Sequence, residues 1–110
     1  MSLLGIDVGT GVARALVISV EGRPLAEASR EYSPGAISGA YELDSERVWA
    51  AIREIMAEVA ARTKQDPIHA LSVASMGEVI VPLSSEGRIL SQSILSADQR
   101  GSQCVRAVEQ

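Results

Sequence analysis

Asp7 and the glycine-flanked Thr10 lie close together near the start of the chain and carry groups that suit a metal–phosphate ligand. Successive backbone N–H groups of a Gly-Thr-Gly turn can converge on an anion. A carboxylate beside such a turn repels phosphate, but it suits a Mg²⁺ ion that stands with its waters between the two. Arg14 adds a guanidinium that matches a phosphoryl oxygen. The pattern therefore indicates a phosphate site in which Asp7 serves Mg²⁺, while Gly9, Thr10, Gly11 and Arg14 serve the phosphate.

The same residues also fit an ordinary β-hairpin, in which Asp7 caps the turn and the two glycines only shape it. Alternating apolar residues before the turn, at Leu4, Ile6 and Val8, predict a strand in either case. This string alone leaves both phosphate binding and a plain hairpin open. The rest of the chain has to decide between them.

The composition describes one globular domain, or part of one, and excludes several classes of partner. The 110 residues are 46% hydrophobic and carry a net charge of −4. An acidic chain with 3% aromatic residues lacks the basic surface and the stacking platform of nucleic-acid-binding proteins. No apolar run approaches the length of a membrane span, and the single cysteine fits a reducing compartment. We therefore expect a cytoplasmic protein that binds neither nucleic acid nor membrane.

Periodic patterns predict the elements that position these groups. Val12–Val20 is almost continuously apolar and predicts a strand covered on both faces. Leu25–Tyr32 is more polar and predicts an edge strand. Ser33–Gly39 contains proline and glycine and predicts a loop. A helix is expected from Asp44, as its N-cap, to about Lys64.

The predicted helix carries an apolar stripe at helical spacing, which places Trp49 in the core. The members of the stripe are Val48, Trp49, Ile52, Ile55, Met56, Val59 and Ala60. Glu58 and Arg62 are expected to form an ion pair on the solvated face of the helix. A tryptophan in the core is not expected to stack on a ligand.

Two further strands are predicted after this helix, at Ile68–Ser75 and Val79–Leu83, followed by the start of another helix. The string Ser-Val-Glu-Gly-Arg of residues 19–23 returns as Ser-Ser-Glu-Gly-Arg at residues 84–88, which predicts that one turn chemistry is used twice. The element order is then β-β-β-α-β-β with a C-terminal helix start. This order is typical of an α/β, ribonuclease-H-like domain with a mixed sheet.

Three blocks of the sequence together resemble the N-terminal part of the FGGY family of carbohydrate kinases, such as xylulokinase, gluconokinase and glycerol kinase. Residues 5–14 are similar to the first phosphate motif of the family, and Tyr41–Asp44 to its acidic lead into the first helix. The third block contains Ser75-Met76-Gly77-Glu78 and Asp98-Gln99-Arg100. The resemblance extends over nearly the whole chain.

The resemblance implies an actin-like ATPase superfamily fold and transfer of a phosphoryl group from ATP, with Mg²⁺, to a hydroxyl of a sugar or polyol. It places Asp7 at the Mg²⁺ ion, and the turn with Arg14 at the phosphates. Glu78 and Asp98 would accept hydrogen bonds from substrate hydroxyls, and Arg100 would brace that loop. The implied substrate-binding residues are Met76, Gly77, Glu78, Asp98 and Arg100.

The resemblance further implies that residues 1–110 are the N-terminal portion of the first ribonuclease-H-like domain of a longer kinase. The general-base aspartate and the adenosine site are expected beyond Gln110. No catalytic residue is therefore expected in this chain, which should be inactive alone. Apolar surface left uncovered makes a homo-oligomer an expectation as well. The identity of the sugar stays open, because Met76-Gly77-Glu78 departs from the usual motif of the family.

Two other classes of function stay open at this point. A metal-dependent nuclease of the Holliday-junction-resolvase type shares the fold and the Gly-Ile-Asp opening, and Asp7 and Glu78 would begin its metal set. The acidic balance of the chain and the Asp98-Gln99-Arg100 block do not fit that class. The other class is a non-enzymatic, actin-like ATPase module that binds only a partner and neither sugar nor metal.

Overall fold

The structure is a computed structural model that describes residues 1–32, 35–37 and 40–108. The chain forms two compact units, residues 1–33 with 46–76 and residues 34–45 with 77–110. In chain order the elements are β1 (Ser2–Val8), β2 (Val12–Ser19), β3 (Pro24–Glu31), β4 (Gly35–Ile37), β5 (Ala40–Leu43), α1 (Ser45–Arg62), β6 (Ile68–Ser75), β7 (Ser93–Ile94) and α2 (Ser102–Val108).

The first unit is built on a four-stranded mixed sheet in the order β3-β2-β1-β6. Strands β1, β2 and β3 are antiparallel neighbours, whereas β6 runs parallel to β1. A parallel neighbour requires a crossover connection, which α1 supplies. The mixed sheet and the edge position of β3 are both confirmed.

One face of this sheet forms the core of the first unit together with α1. The sequence alternates along β1, so that Leu4, Ile6 and Val8 are buried while the residues between them are exposed. The residues that α1 buries are Ala51, Ile55 and Val59. Arg30 of β3 fixes the helix across the sheet, because it donates hydrogen bonds to Glu54 at 3.0 Å and to Glu58 at 2.8 Å. The predicted ion pair between Glu58 and Arg62 is also present, at 3.6 Å.

The prediction that β2 is covered on both faces is wrong. Ala13, Ala15 and Val17 are buried, but Arg14 and Leu16, which alternate with them, are exposed. Within the described residues, α1 packs against only one face of the sheet. The apolar run of β2 therefore has a buried side and an open side.

The prediction that Trp49 lies in the core is also wrong, since this side chain is 59% exposed. Trp49 and the buried Ile55 are separated by roughly 120° around the helix axis. The apolar stripe read from the sequence is thus wider than the arc that the sheet covers. Leu71 and Val73 of β6 are exposed as well, although they pair with the buried Leu4 and Ile6 of β1.

The second unit contains a three-stranded antiparallel sheet in the order β4-β5-β7. Its first strand, β4, lies within the segment Ser33–Gly39 that was predicted to be a loop, and that prediction is wrong for residues 35–37. Ser33, Pro34, Ser38 and Gly39 lie outside the described residues. Short strands of this kind depend on a partner strand, which local sequence does not reveal.

The predicted strand Val79–Leu83 does not form. Isolated bridges instead join Ile80 to Ile94 and Leu83 to Ile89. An apolar, β-branched segment becomes a strand only where a neighbouring strand offers a continuous ladder, and here the ladder is interrupted. The predicted C-terminal helix is present as α2. No helix in the described part of the chain is long and apolar enough to cross a membrane.

Candidate functional site

A tight turn joins β1 to β2 at residues 9–11, beside Asp7. The amide of Gly9 donates to the carbonyl of Val12 at 2.9 Å and closes the turn. A Cβ atom on Gly9 would lie 3.1 Å from that same carbonyl oxygen, which is closer than side chains normally approach. Glycine at position 9 therefore permits the short approach of the two strands on which the turn depends.

Tyr32, the residue after β3, donates hydrogen bonds to two carbonyl groups of this turn. Its phenolic hydroxyl donates to the carbonyl of Gly9 at 2.6 Å, and its backbone N–H donates to the carbonyl of Gly11 at 2.9 Å. The residue is buried, with 5% of its surface exposed. Burial raises the pKa of the phenol, and the nearby negative charge of Asp7 raises this pKa further. The hydroxyl is thus a firm hydrogen-bond donor at neutral pH.

The amide groups of the same turn are available to a ligand. Within the described residues, the backbone N–H groups of Thr10 and Gly11 donate no hydrogen bond. Thr10 is exposed, so water or a ligand can reach the turn there. The carbonyls of Gly9 and Gly11 are occupied while two adjacent N–H groups are free, and such neighbouring donors suit an anion.

Asp7 and Arg14 flank the turn on the open face of the sheet. They are register partners on β1 and β2, and their charged atoms are 3.8 Å apart. Both side chains are more than half exposed, so solvent screens the pair and it contributes little to stability. The adjoining open groove is bordered by small residues, including Gly5, Ser29 and Ala74. A carboxylate and a guanidinium are therefore accessible beside a donor-rich turn.

A single carboxylate with accessible phosphate donors fits Mg²⁺ better than it fits a metal held wholly by protein. No group of three or more histidine, cysteine, aspartate or glutamate side chains suited to a metal occurs in the described residues. Mg²⁺ keeps several waters and binds through one or two carboxylates together with substrate phosphates. Asp7 offers that kind of ligand, and its position beside the free amides of Thr10 suits a metal-bound phosphate.

The segment predicted to contact the substrate begins where β6 ends. The amide of Met76 donates to the carbonyl of Val8 at 3.1 Å, so this residue extends the parallel pairing beside the end of β1. Glu78, two residues later, is exposed and has a φ angle of 60°. Left-handed backbone is uncommon for a residue with a side chain, and it often occurs at functional positions.

The second unit places Asp98 and Arg100 in one charged cluster with Glu42. One oxygen of Asp98 accepts the amide of Arg100 and the other accepts the amide of Tyr41, both at 2.9 Å. The guanidinium of Arg100 pairs with Asp98 at 2.9 Å and with Glu42 at 2.8 Å. These hydrogen bonds, above all those from Arg100, lower the pKa of Asp98 to about 2. The Asp98 side chain is only 2% exposed, which differs sharply from Glu78.

The structure thus groups the predicted phosphate residues in the first unit, where Asp7, the turn and Arg14 adjoin one another. Met76 belongs to the same unit, whereas Gly77, Glu78, Asp98 and Arg100 belong to the second. Sequence reasoning missed two participants, Tyr32 and Glu42. The signal that could have identified Tyr32 was its position at the end of a predicted edge strand, because a tyrosine hydroxyl that becomes buried there needs a hydrogen-bond acceptor.

Comparisons with known proteins identify the family of this chain. A family model described as the N-terminal domain of the FGGY family of carbohydrate kinases matches residues 2–110. The chain belongs to this family. A search of curated proteins finds no match.

Solved structures of FGGY-type kinases share the fold over almost the entire chain. Gluconate kinase from Lactobacillus acidophilus is 26% identical, with a TM-score of 0.88 over 98% of this chain. Xylulose kinase from Rhodospirillum rubrum (24% identity, TM-score 0.91, 99% of this chain) and glycerol kinase from Plasmodium falciparum with ADP (18%, 0.84, 97%) are similar in fold. The fold is therefore the ribonuclease-H-like fold of the actin-like ATPases. The chain spans only 22%, 23% and 22% of these three proteins, respectively.

Proposed function

We propose that this chain supplies the phosphate-binding part of an ATP-dependent sugar kinase and has no kinase activity alone. The observation that carries the proposal is the turn at residues 9–11, which has free amides at Thr10 and Gly11 and joins the strands that carry the accessible Asp7 and Arg14. Donors, a carboxylate and a guanidinium in that arrangement suit the tail of a Mg²⁺-bound nucleotide. Family membership supplies the reaction class, since the family is one of carbohydrate kinases.

The residues of the turn bind and orient in this proposal. The N–H groups of Thr10 and Gly11 donate to phosphate oxygens, and Asp7 holds Mg²⁺ directly or through its waters. Arg14 lies on the same face and neutralises charge on the transferred phosphoryl group. When bound, Mg²⁺ would screen the negative charge of the phosphates. Such positioning and neutralisation supply most of the catalysis in phosphoryl transfer.

The proposed reaction joins the phosphoryl group to a sugar or polyol. The substrate hydroxyl oxygen forms a bond to the γ-phosphorus while the bond between that phosphorus and the bridging oxygen of ADP breaks. ADP leaves with the bridging oxygen and its electron pair. The hydroxyl proton passes to a general base from another part of the enzyme, which is why the chain alone is expected to be inactive.

Direct contact with substrate hydroxyls is assigned to Glu78 in this proposal, with Met76 and Gly77 forming the strand end that carries it. Glu78 is exposed, and its oxygens are accessible to hydroxyl donors. Asp98 has both oxygens bonded within the protein, so its proposed part is to hold the substrate-binding loop together with Arg100. The substrate class is a sugar, sugar acid or polyol, as in the neighbouring kinases.

The family match favours a kinase over the two alternatives from the sequence. A resolvase-type nuclease would bind branched DNA, and the net charge of −4 does not favour that hypothesis. A module that binds only a partner would bind neither sugar nor metal. Mg²⁺-dependent binding of phosphate compounds therefore separates the kinase hypothesis from this third class.

The proposal is tested by titrating the protein with inorganic tripolyphosphate and with ADP, each in the presence and absence of Mg²⁺. Amide spectra recorded by NMR are suited to weak binding, and we expect dissociation constants of about 1 mM because only part of a kinase nucleotide site is present. Mg²⁺ should strengthen binding, and the largest shifts should occur at Thr10 and Gly11. Absence of Mg²⁺-dependent binding would contradict the proposal.

Two controls make the test specific. Sulfate at matched ionic strength should produce smaller, Mg²⁺-independent shifts, because it lacks the chain of phosphates that chelates the metal. An assay of ADP release with xylulose, gluconate or glycerol as acceptor should show no turnover above the rate without acceptor. Turnover by the 110-residue chain would show that it contains its own general base.

A further inference from the structure

We propose that Tyr32 is a positioning residue for the phosphate site, because its two hydrogen bonds to the turn direct the amide of Thr10 toward the ligand. This inference rests on the proposed function. Tyr32 touches neither phosphate nor metal in it and acts only through the peptide groups of residues 9–11.

The geometry of the peptide bond carries the effect. The carbonyl of Gly9 and the N–H of Thr10 belong to one peptide group, and no cis peptide bond occurs in the described chain. In a trans peptide these two groups lie in one plane and point in opposite directions. The hydroxyl of Tyr32 holds the Gly9 oxygen at 2.6 Å, so the N–H of Thr10 must point away from Tyr32. A residue behind the turn thereby sets the direction of a donor in front of it.

A second bond from the same residue keeps the turn from rotating as a whole. The backbone N–H of Tyr32 holds the carbonyl of Gly11 at 2.9 Å, and the amide of Gly9 is fixed by the carbonyl of Val12 at 2.9 Å. Three polar groups of the turn are thus bound within the protein, and the amides of Thr10 and Gly11 are the backbone donors left for a ligand. Glycine at both flanks makes this backbone mobile without such bonds, since glycine has the largest conformational freedom.

Burial explains why this role falls to a tyrosine. The phenol ring is packed in the first unit with 5% of its surface exposed, so the hydroxyl is delivered from a fixed direction. A buried hydroxyl without a partner is unfavourable, which ties the ring to the Gly9 carbonyl. Phenylalanine would fill the same space and would keep the backbone bond to Gly11, but it would release the Gly9 peptide.

Tyr32→Phe isolates this contribution. We expect about five-fold weaker binding of Mg²⁺-tripolyphosphate, which corresponds to the loss of one ordinary hydrogen bond. Without ligand, the Thr10 amide resonance should move, because its peptide group is no longer held. Tyr41→Phe, in the second unit, is the matched control and should leave both quantities unchanged. Val59→Ala is the control for stability, since it opens the core away from the turn and should leave the affinity unchanged.

The outcomes separate this proposal from the proposed function. If the unsubstituted protein binds Mg²⁺-tripolyphosphate and Tyr32→Phe binds it equally well, Tyr32 has no positioning role and the proposed function stands. Equal weakening by Val59→Ala would assign the effect to stability and also overturn the role. If the unsubstituted protein shows no binding, both proposals fail together.

If Tyr32→Phe fails to fold, a measurement on the unsubstituted protein still tests the positioning role of Tyr32. The hydroxyl proton of Tyr32 should exchange with water much more slowly than that of the exposed Tyr41, because it is buried and bonded to Gly9. Equal exchange rates for the two hydroxyls would show that the bond does not persist in solution, and this result would overturn the positioning role.

Discussion

The molecule contains two kinds of turn, which differ in whether their backbone amides are bonded within the protein. The first kind is the turn at residues 9–11, and the second is the pair of serine turns at residues 19–23 and 84–88. In each serine turn the backbone N–H of the serine donates to the carbonyl of the arginine at 2.9 Å. A glycine in each turn has a positive φ angle, 85° at Gly22 and 80° at Gly87. The hydroxyl oxygen of Ser19 accepts two amides of its own turn at 3.3 Å, and that of Ser84 accepts the corresponding two at 3.2 and 3.1 Å. The predicted reuse of one turn chemistry is confirmed.

The difference indicates which turn is built for a ligand. In the serine turns, the serine hydroxyl accepts hydrogen bonds from amides two and four residues later, as expected of a turn that only reverses the chain. The turn at 9–11 instead takes its support from Tyr32, which is distant in sequence, and leaves adjacent amides unbonded. Asp98 resembles the serine turns, because one of its oxygens accepts the amide of Arg100 two residues later. Substitutions in the two classes should therefore affect different properties.

The largest expected effect is that of Asp7→Asn on ligand binding. Mg²⁺ should no longer strengthen binding of tripolyphosphate, and the affinity measured with Mg²⁺ should fall about thirty-fold, since the amide lacks the charge that the metal requires. The free energy of unfolding should change by less than about 0.5 kcal/mol, because the residue is exposed. NMR titration and urea unfolding measure the two quantities. Retained Mg²⁺ dependence would remove Asp7 from the site.

Gly22→Ala should show the reverse pattern. The backbone at Gly22 has a φ angle of 85°, so a side chain costs about 1 kcal/mol, although a Cβ would meet no atom within 4 Å. Urea unfolding should report this loss, and phosphate binding should not change. Gly101→Ala is the control, because its Cβ also meets nothing and its φ is not positive. Equal cost at both glycines would refute the conformational explanation.

Ser19→Ala should lower the free energy of unfolding by about 1 kcal/mol, since it leaves two amides of a part-buried turn without their acceptor. Ser84→Ala should cost about half as much, because its turn is more exposed and water replaces the hydroxyl. Both values come from urea unfolding, with the exposed Ser91→Ala as control. Weakened tripolyphosphate binding in either variant would contradict the conclusion that the serine turns take no part in ligand binding.

The smallest expected effect is the dependence of the Asp98 cluster on acid pH. The folded pKa of Asp98, about 2, lies below its ordinary value of 3.8. Its stabilising contribution is therefore complete above about pH 4 and is lost as the pH falls through 2. The carboxyl carbon of Asp98 and the amide of Tyr41 should titrate together by NMR. Asp98→Asn should abolish that transition in the Tyr41 signal, and a midpoint near 4 would contradict the pairing with Arg100.

Local patterns in the sequence were sufficient for the elements of the first unit. Alternation predicted β1, glycine turns separated β2 from β3, and the helical period placed α1 and its ion pair between Glu58 and Arg62. Patterns failed where a residue depends on a distant surface. Trp49 has the spacing of a core residue, but it is exposed, whereas Ile55 on another side of the helix is buried. Val79–Leu83 has the composition of a strand, but its partners are only isolated bridges.

The sequence by itself determined that an acid, a Gly-Thr-Gly turn and an arginine follow one another on two strands, because strand and turn preferences are local. Only the tertiary structure decided what supports that turn. If the register set by the Ser19–Arg23 turn continued along β2 and β3, Tyr32 would lie opposite Thr10. The register shifts by one residue between Val17 and Ile18, and Tyr32 therefore lies opposite Gly11. A shift of one residue also exchanges the two faces of a strand. The hydrogen bond from the Tyr32 hydroxyl to the Gly9 carbonyl therefore depends on an irregularity in the pairing of β2 with β3.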